Sequence, residues 1–204
     1  MTKDPRIQHL KVSNLQEADH KETFARDIRA AVRGLWSGVL DYYDFFDTMA
    51  SAVRYGITNA WNDGAAECDI LPNELSPEEQ MARQSMITGQ MGYINGFASA
   101  IEQNSKANGG ALQPLLNRGA LWSNRYNDAK NQAMVMACAD KKLKWILGPT
   151  CEHCPDCVRL ANKVKRNSQW TIRPQSPRLA CKGFGKCYFE VTDEPMSKGP
   201  LPKI

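Results

Sequence analysis

The chain has 204 residues, 42% of them hydrophobic and 24% charged, with a formal net charge of +4 and a mean hydropathy of −0.50. A chain of this length forms one ordinary domain, or one with a small appendage, and buries roughly 70% of its unfolded surface without covalent staples. No apolar run approaches the ~20 residues of a membrane span, and five Trp with a normal apolar content exclude wholesale disorder.

Residues 1–18 are polar, without sustained period, and read as an N-terminal arm. The opening Met1-Thr2-Lys3-Asp4-Pro5 has no apolar stretch behind it, which predicts no secretory leader. From about Asp19 a helical period sets in: Phe24, Ile28, Val32, Leu35, Trp36 and Val39 recur at spacings of three and four. The stripe continues through Phe45, Met49, Val53, Ile57 and Trp61, with Gly34 and Gly38 allowing one helix or two. Asp41, Asp44 and Asp47 fall on its solvated face. After a linker at Leu71-Pro72-Asn73, Ser76-Pro77-Glu78-Glu79 has the form of a capping box with acids at the positive end of a helix. The helix predicted from there carries Met81, Met86, Ile87, Met91, Ile94, Phe97 and Ile101. Its glycines at 89, 92 and 96 predict close approach of a neighbouring helix or subunit, and Asn108-Gly109-Gly110 ends it. A further helix is predicted from about Leu112 to Ala139, with Leu116, Leu121, Trp122, Tyr126 and Met136 on one face.

At Lys141 the pattern changes. Lys142 to Leu147 reads as a strand bounded by Gly148-Pro149, and Tyr188 to Thr192 as a second. Between them lies a long basic connection, followed by a Pro-rich tail. The predicted fold is therefore mainly α with a small α+β C-terminal module: arm 1–18, helical body 19–140, Cys-rich β-hairpin module 141–194, tail 195–204.

Charge and cysteine are both concentrated towards the C-terminus. Residues 1–75 carry 8 basic and 12 acidic side chains, whereas residues 141–204 carry 13 and 5. No acid occurs between Cys157 and Glu190, a stretch holding Arg159, Lys163, Lys165, Arg166, Arg173, Arg178, Lys182 and Lys186. A one-sign run of this kind attracts nucleic acid or an acidic protein surface. Cys68 and Cys138 stand alone in helical sequence and read as small buried apolar residues. Cys151, Cys154, Cys157, Cys181 and Cys187 are clustered, and clustered thiols in a chain without an export signal indicate a metal before disulfides. Two thiolates on a tight turn and a second pair across a hairpin complete a tetrahedron, the arrangement zinc prefers. Cys154, Cys157, Cys181 and Cys187 are the favoured ligands of a structural zinc, with Cys151 and His153 as alternates and Cys151–Cys154 as the alternative first pair. Catalysis finds no constellation: His9 and His20 lie in or near the arm, His153 sits inside the cluster, and Gly183-Phe184-Gly185 precedes no helix that could cradle a phosphate.

These residues also carry a resemblance. Leu121-Trp122-Ser123-Asn124-Arg125-Tyr126-Asn127 leads into Lys142 to Thr150, then His153-Cys154-Pro155-Asp156-Cys157-Val158-Arg159-Leu160, Trp170, Pro174-Gln175-Ser176-Pro177 and the distal Cys pair. Over about residues 115–192 this resembles the C-terminal domain of tailed-phage minor head proteins, the head-morphogenesis family typified by the Mu F protein. It departs from that pattern in the wider spacing of Cys181 and Cys187 and in Ser176-Pro177 where the family has His-Pro. The resemblance implies a non-enzymatic structural protein of a bacteriophage virion, a low-copy minor head component acting in capsid assembly. Its implied partners are the portal or major capsid protein, packaged DNA and further copies of itself, with no membrane. The alternative from the residues themselves is a zinc-ribbon protein whose basic loop grips nucleic acid.

Overall fold

A computed structural model describes residues 5–150 and 152–204, with side chains from residue 16 onward. Among the described residues six α-helices precede the first strand: α1 (Pro5–Ser37), α2 (Tyr42–Ala66), α3 (Pro77–Met91), α4 (Ile94–Gln103), α5 (Leu112–Ser123) and α6 (Arg125–Ala137). None is long and apolar enough to cross a membrane. The chain folds as two compact units. One runs to Asp63 and takes in Ala82–Tyr126; the other comprises Gly64–Met81 and Asn127–Ile204. The units therefore part elsewhere than at the expected 140/141 boundary.

Local rules explain most of the helix ends. α1 begins at Pro5, where proline is tolerated because the first-turn N–H has no helical partner, so helix replaces the expected arm from that residue on. Residues 1–4 of the arm lie outside the described residues. α1 stops at Gly38, whose φ of +80° is the left-handed stop that glycine adopts without penalty. Asp41 then caps α2 by accepting the Asp44 N–H at 2.8 Å, and Asp41, Asp44 and Asp47 are all exposed, as expected of a solvated face. The capping box at α3 is present: the Ser76 N–H donates to Glu79 at 2.8 Å, and the Ser76 hydroxyl accepts the Glu79 N–H at 3.2 Å. Two expected helices are each split in two, one at Gly92-Tyr93 and one at Asn124.

In the first unit α1 packs on α4 and α5. Phe24, Ile28, Val32, Phe45, Met49, Ile57, Trp61, Phe97 and Ile101 are fully or almost fully buried. The Phe97 ring centroid lies 5.0 Å from that of Trp122. Glycine brings helices together here at Gly56, where a Cβ would overlap the Phe24 ring, and less tightly at Gly119, where it would meet Val32 at 3.2 Å and Ile28 at 3.3 Å. Gly89 and Gly96 face open space instead, and a Cβ at Gly92 would meet only the Gly89 carbonyl at 3.9 Å, so no described neighbour makes the close approach expected there. One polar knot ties the unit: Asp63 accepts from the Tyr126 hydroxyl and lies 3.2 Å from His20 Nδ1.

The second unit contains β1 (Lys142–Ile146), α7 (Pro155–Leu160), β2 (Val164–Arg166) and β3 (Tyr188–Val191), in an antiparallel sheet of order β2-β1-β3. The two expected strands pair directly, Trp145 opposite Phe189 and Ile146 opposite Tyr188. The connection between them is not the open loop expected from sequence, because α7, β2 and a 3-10 turn at Asn167–Gln169 structure it. Trp145, Trp170 and Phe189 form an aromatic core with centroids 5.0–5.7 Å apart. The tail closes the β2 edge: the Ser197 N–H donates to the Val164 carbonyl at 2.9 Å, and Lys165 Nζ donates to the Ser197 and Gly199 carbonyls.

Residues 64–81 belong to this unit and carry Glu67, Asp69, Glu74, Glu78 and Glu79 without a cation, which offsets part of the basic excess. Lys130 pairs with Glu67 at 2.8 Å and Lys141 with Asp69 at 3.4 Å. Cys68 and Cys138 are joined as a disulfide, Cα atoms 5.4 Å apart, which corrects their reading as isolated apolar residues. They are separated by 70 residues in sequence and adjoin in space because the 64–81 segment packs beside the end of α6, a juxtaposition that spacing cannot reveal.

Two outcomes follow from these bonds. Reduction of Cys68–Cys138 releases a loop whose closure is worth about 4 kcal/mol in the chain-entropy model, so thiol-blocked reduced protein should melt well below the oxidised form in calorimetry. Burial, the bond to Asp63 and that carboxylate's charge hold the Tyr126 phenol far above its ordinary pKa of 10.0. The unfolded tyrosine ionises first, so this contribution is complete below pH 10 and is lost progressively above it. Tyr126→Phe should flatten the alkaline fall in stability measured by denaturant titration.

Candidate metal centre

The cysteine-bearing turn is built by a helix start. Cys154 is the N-cap of α7, Pro155 sits in its first turn, and the Cys157 N–H donates to Cys154 Sγ at 3.4 Å. That geometry folds two thiols separated by two residues onto one side of a single turn. Asp156 fixes the turn from outside, accepting the Ala180 N–H at 2.8 Å and Arg159 at 2.7 Å. The Arg159 bond first, then the Ala180 N–H, keeps its carboxyl below the usual range.

Cys181 enters from the far end of the connection. The sulfurs of Cys154, Cys157 and Cys181 all lie within 4.8 Å of one another, a cluster able to hold a metal ion. Cys187, immediately before β3, adjoins this trio: its sulfur interacts with Cys157, receives the Gly148 N–H and meets the His153 side chain. A Cβ at Gly148 would overlap the Lys186 carbonyl, so only glycine permits this approach. Cys157 and Cys187 are buried, and Cys154 and Cys181 half-buried.

The four sulfurs are electrostatically unequal. Donation from Cys157 lowers the Cys187 thiol to about 6 against the cost of burial, with help from Gly148 and His153. Cys157, as the donor to Cys187 and a buried group, is pushed far up. Burial raises Cys154, but N–H and thiol hydrogen bonds from Cys157 and Cys181 outweigh it and lower the thiol. Burial raises Cys181, partly opposed by the Gly183 and Gly185 N–H groups. Adjacent thiols divide protons in this way because two neighbouring thiolates repel.

Two residues not singled out from sequence hold the site's inner wall. Asn131 of α6 is fully buried. Its oxygen accepts the Phe189 N–H at 2.8 Å, and its amide nitrogen donates to Gln175 Oε1 at 3.2 Å and the Cys187 carbonyl at 3.4 Å. Gln175, itself 2% exposed, donates to the Gly185 carbonyl at 2.9 Å. No signal in the sequence marks Asn131, which lies opposite the apolar stripe predicted for that helix; its burial comes from packing of the other face against the rest of the C-terminal unit.

Of the expected ligands, Cys154, Cys157 and Cys181 are gathered and Cys187 adjoins them. His153 is drawn in through Cys187, and Cys151 lies outside the described residues. The basic run is not one free surface. Lys165 is buried on tail carbonyls, half-buried Arg173 pairs with buried Asp128, and Arg159 pairs with Asp156, so these serve structure first. Arg166 reaches the Asp140 carbonyl at 3.5 Å and is exposed, as are Arg178, Lys182 and Lys186, with Lys163 half-buried.

No protein-family model matches the chain, and no curated protein or solved structure is significantly similar to it.

Asn131→Leu leaves the Phe189 N–H, the Cys187 carbonyl and Gln175 without their partner, at about 1–3 kcal/mol per orphaned buried group. The variant should lose several kcal/mol in denaturant unfolding, and Cys187 should alkylate faster in metal-free protein. An unchanged midpoint and alkylation rate would remove Asn131 from the account of the site.

Proposed function

We propose that this chain is a non-enzymatic structural protein of a tailed-phage virion, a minor head component acting at the portal or capsid interior, whose C-terminal module is pinned by zinc. The observation that carries the reading is the convergence of Cys154, Cys157, Cys181 and Cys187 at one end of the β1–β3 pair, in the order that the resemblance over residues 115–192 implies. An all-thiolate set selects soft, tetrahedral metals, zinc foremost. With Zn–S bonds of about 2.3 Å the sulfurs would stand ~3.8 Å apart, so the observed trio needs only a small contraction. Zinc so held would be structural, since four protein ligands leave no open position for substrate. It would close the connection between β1 and β3 and hold thiols ionised that otherwise compete for protons.

The chain's own residues would do the binding. Portal or major capsid protein and further copies of the chain are the proposed protein partners, and the exposed Arg166, Arg178, Lys182 and Lys186 are the proposed contacts with packaged DNA. Phosphate contacts of this type give affinity that falls steeply with salt.

Elemental mass spectrometry of the purified chain should find about one zinc per molecule, and a chelator should release about four thiols. Cys154→Ser should lose the metal and open residues 158–186 to protease while helical content persists. No metal, with all clustered thiols reactive from the start, would overturn the zinc module. The virion reading has its own test: the gene should lie beside portal and terminase genes, and purified virions should contain the chain. Absence from virions that are otherwise complete would leave the zinc-ribbon alternative in its place.

A further inference from the structure

A charge withdrawn from water on folding is costly unless an opposite charge meets it. In the C-terminal unit Lys130 pairs with Glu67 at 2.8 Å, Lys144 with Glu194 at 2.6 Å, and Arg173 with Asp128. Lys165 of β2 is only 9% exposed, yet among the described residues no carboxylate pairs with it. Its ammonium donates to the Ser197 and Gly199 carbonyls at 2.7 and 2.6 Å. Those bonds use two of the three donors of an ammonium group and leave its charge uncompensated.

Lys165 lines an open groove of about 770 Å³, together with two exposed cations, Arg178 and Lys203. No Asp or Glu side chain lines it, and Ser168 and Thr171 add exposed hydroxyls. The tail from Gly199 onward forms part of its lining and is held in place. The Ser197 N–H donates to the Val164 carbonyl at 2.9 Å, and the Ser197 hydroxyl accepts the Val164 N–H at 3.0 Å. Leu201 packs against the core that contains Trp145 and Phe189. Pro200 and Pro202 stiffen the segment by fixing φ. The groove is therefore formed before a ligand arrives, and binding requires little ordering of the chain.

Exposed cations, hydroxyl donors and an uncompensated ammonium, with no acid among them, suit an anion that can share several oxygens. We propose that this groove seats the phosphodiester backbone of duplex DNA, with Lys165, Arg178 and Lys203 on neighbouring phosphates. Lys165 thereby gains the opposite charge that the fold does not supply. The groove is far larger than one phosphate, which suits a continuous backbone, and residues 158–189 hold no carboxylate side chain to repel a polyanion. The inference rests on the DNA-contact part of the proposed function, to which it adds Lys165, Lys203 and a defined place. Contacts of this kind position the protein without reading bases, and they leave the duplex paired.

The test uses the full chain and a fluorescently labelled blunt duplex, with anisotropy titrations at several salt concentrations. Lys203→Ala and Arg178→Ala should each lower the slope of log K against log salt by about 1, and weaken binding alike for unrelated duplex sequences. Lys165→Met, which removes the charge and keeps a long side chain, should do the same. Circular dichroism establishes that it folds, and Lys203→Ala, at an exposed position, carries the test if it does not. Lys106→Ala, at an exposed cation of the other unit, should leave the slope unchanged. A second readout needs no DNA. Inorganic phosphate, against chloride at equal ionic strength, should raise the Tm more for wild type than for the double variant Arg178→Ala/Lys203→Ala, because a ligand of the folded state stabilises it by mass action.

An unchanged slope in Lys203→Ala overturns the proposal, even where Arg178→Ala binds less well. So do equal phosphate-induced rises in Tm. Polyglutamate that competes as well as duplex at equal charge also overturns it, and assigns the groove to an acidic protein surface. Wild type that binds no duplex overturns it too, while zinc content and virion incorporation decide the proposed function separately.

Discussion

The C-terminal unit depends on one constraint: the long connection leaving β1 must return to β3 with its two cysteine-bearing ends side by side. Antiparallel pairing of Trp145 with Phe189 and Ile146 with Tyr188 places the strand ends together. The helix start at Cys154 then turns one pair of thiols inward, and Cys181 and Cys187 meet them from the other side. The four thiols do not reach this arrangement by mutual attraction. Buried neighbouring thiols compete for protons, which is why Cys157 and Cys187 are displaced in opposite directions. Something else must hold them, and the protein supplies it in the Asn131–Gln175 network behind the cluster and the Asp156 bonds in front.

The same network links the cluster to the exposed loop. Gln175 carries a hydrogen bond from Asn131 on one side and gives one to Gly185 on the other, so a single buried side chain joins helix α6 to the segment that bears Phe184. The unit's charge has been sorted by the fold as well. Cations that could be neutralised locally are spent on Asp128 and Asp156, whereas Lys165 meets only tail carbonyls. Arg178 and Lys203, which line the groove with it, are left exposed.

Much of the local structure was legible from residue order alone. The capping box at Ser76, the strands at Lys142 and Tyr188 and the apolar faces of the helices show in the residue pattern itself, whereas Gly34 and Gly38 allow one helix or two and only the structure sets the stop at Gly38. The breaks at Gly92-Tyr93 and Asn124 were not, because a helical period runs through them and tertiary packing decides where a continuous stripe divides. The short strand β2 escaped notice because three residues carry too little alternation to mark a strand, and its identity comes from pairing with β1.

By itself, then, the sequence determined the types of the main elements, the presence of a thiol-rich turn with a distal pair, and a basic C-terminal third. Only the tertiary structure decided which charges remain available, since Arg159 and Arg173 read no differently in sequence from Lys182 and Arg178. It alone joined Cys68 to Cys138 across 70 residues, and it moved the acidic 64–81 segment into the basic unit. It also withheld the close packing expected at Gly89, Gly92 and Gly96 and supplied it at Gly56 and Gly119. The physical reason is common to all of these. Spacing reports what a few consecutive bonds allow, whereas burial and pairing depend on segments distant in sequence, which meet only when the hydrophobic core brings them together.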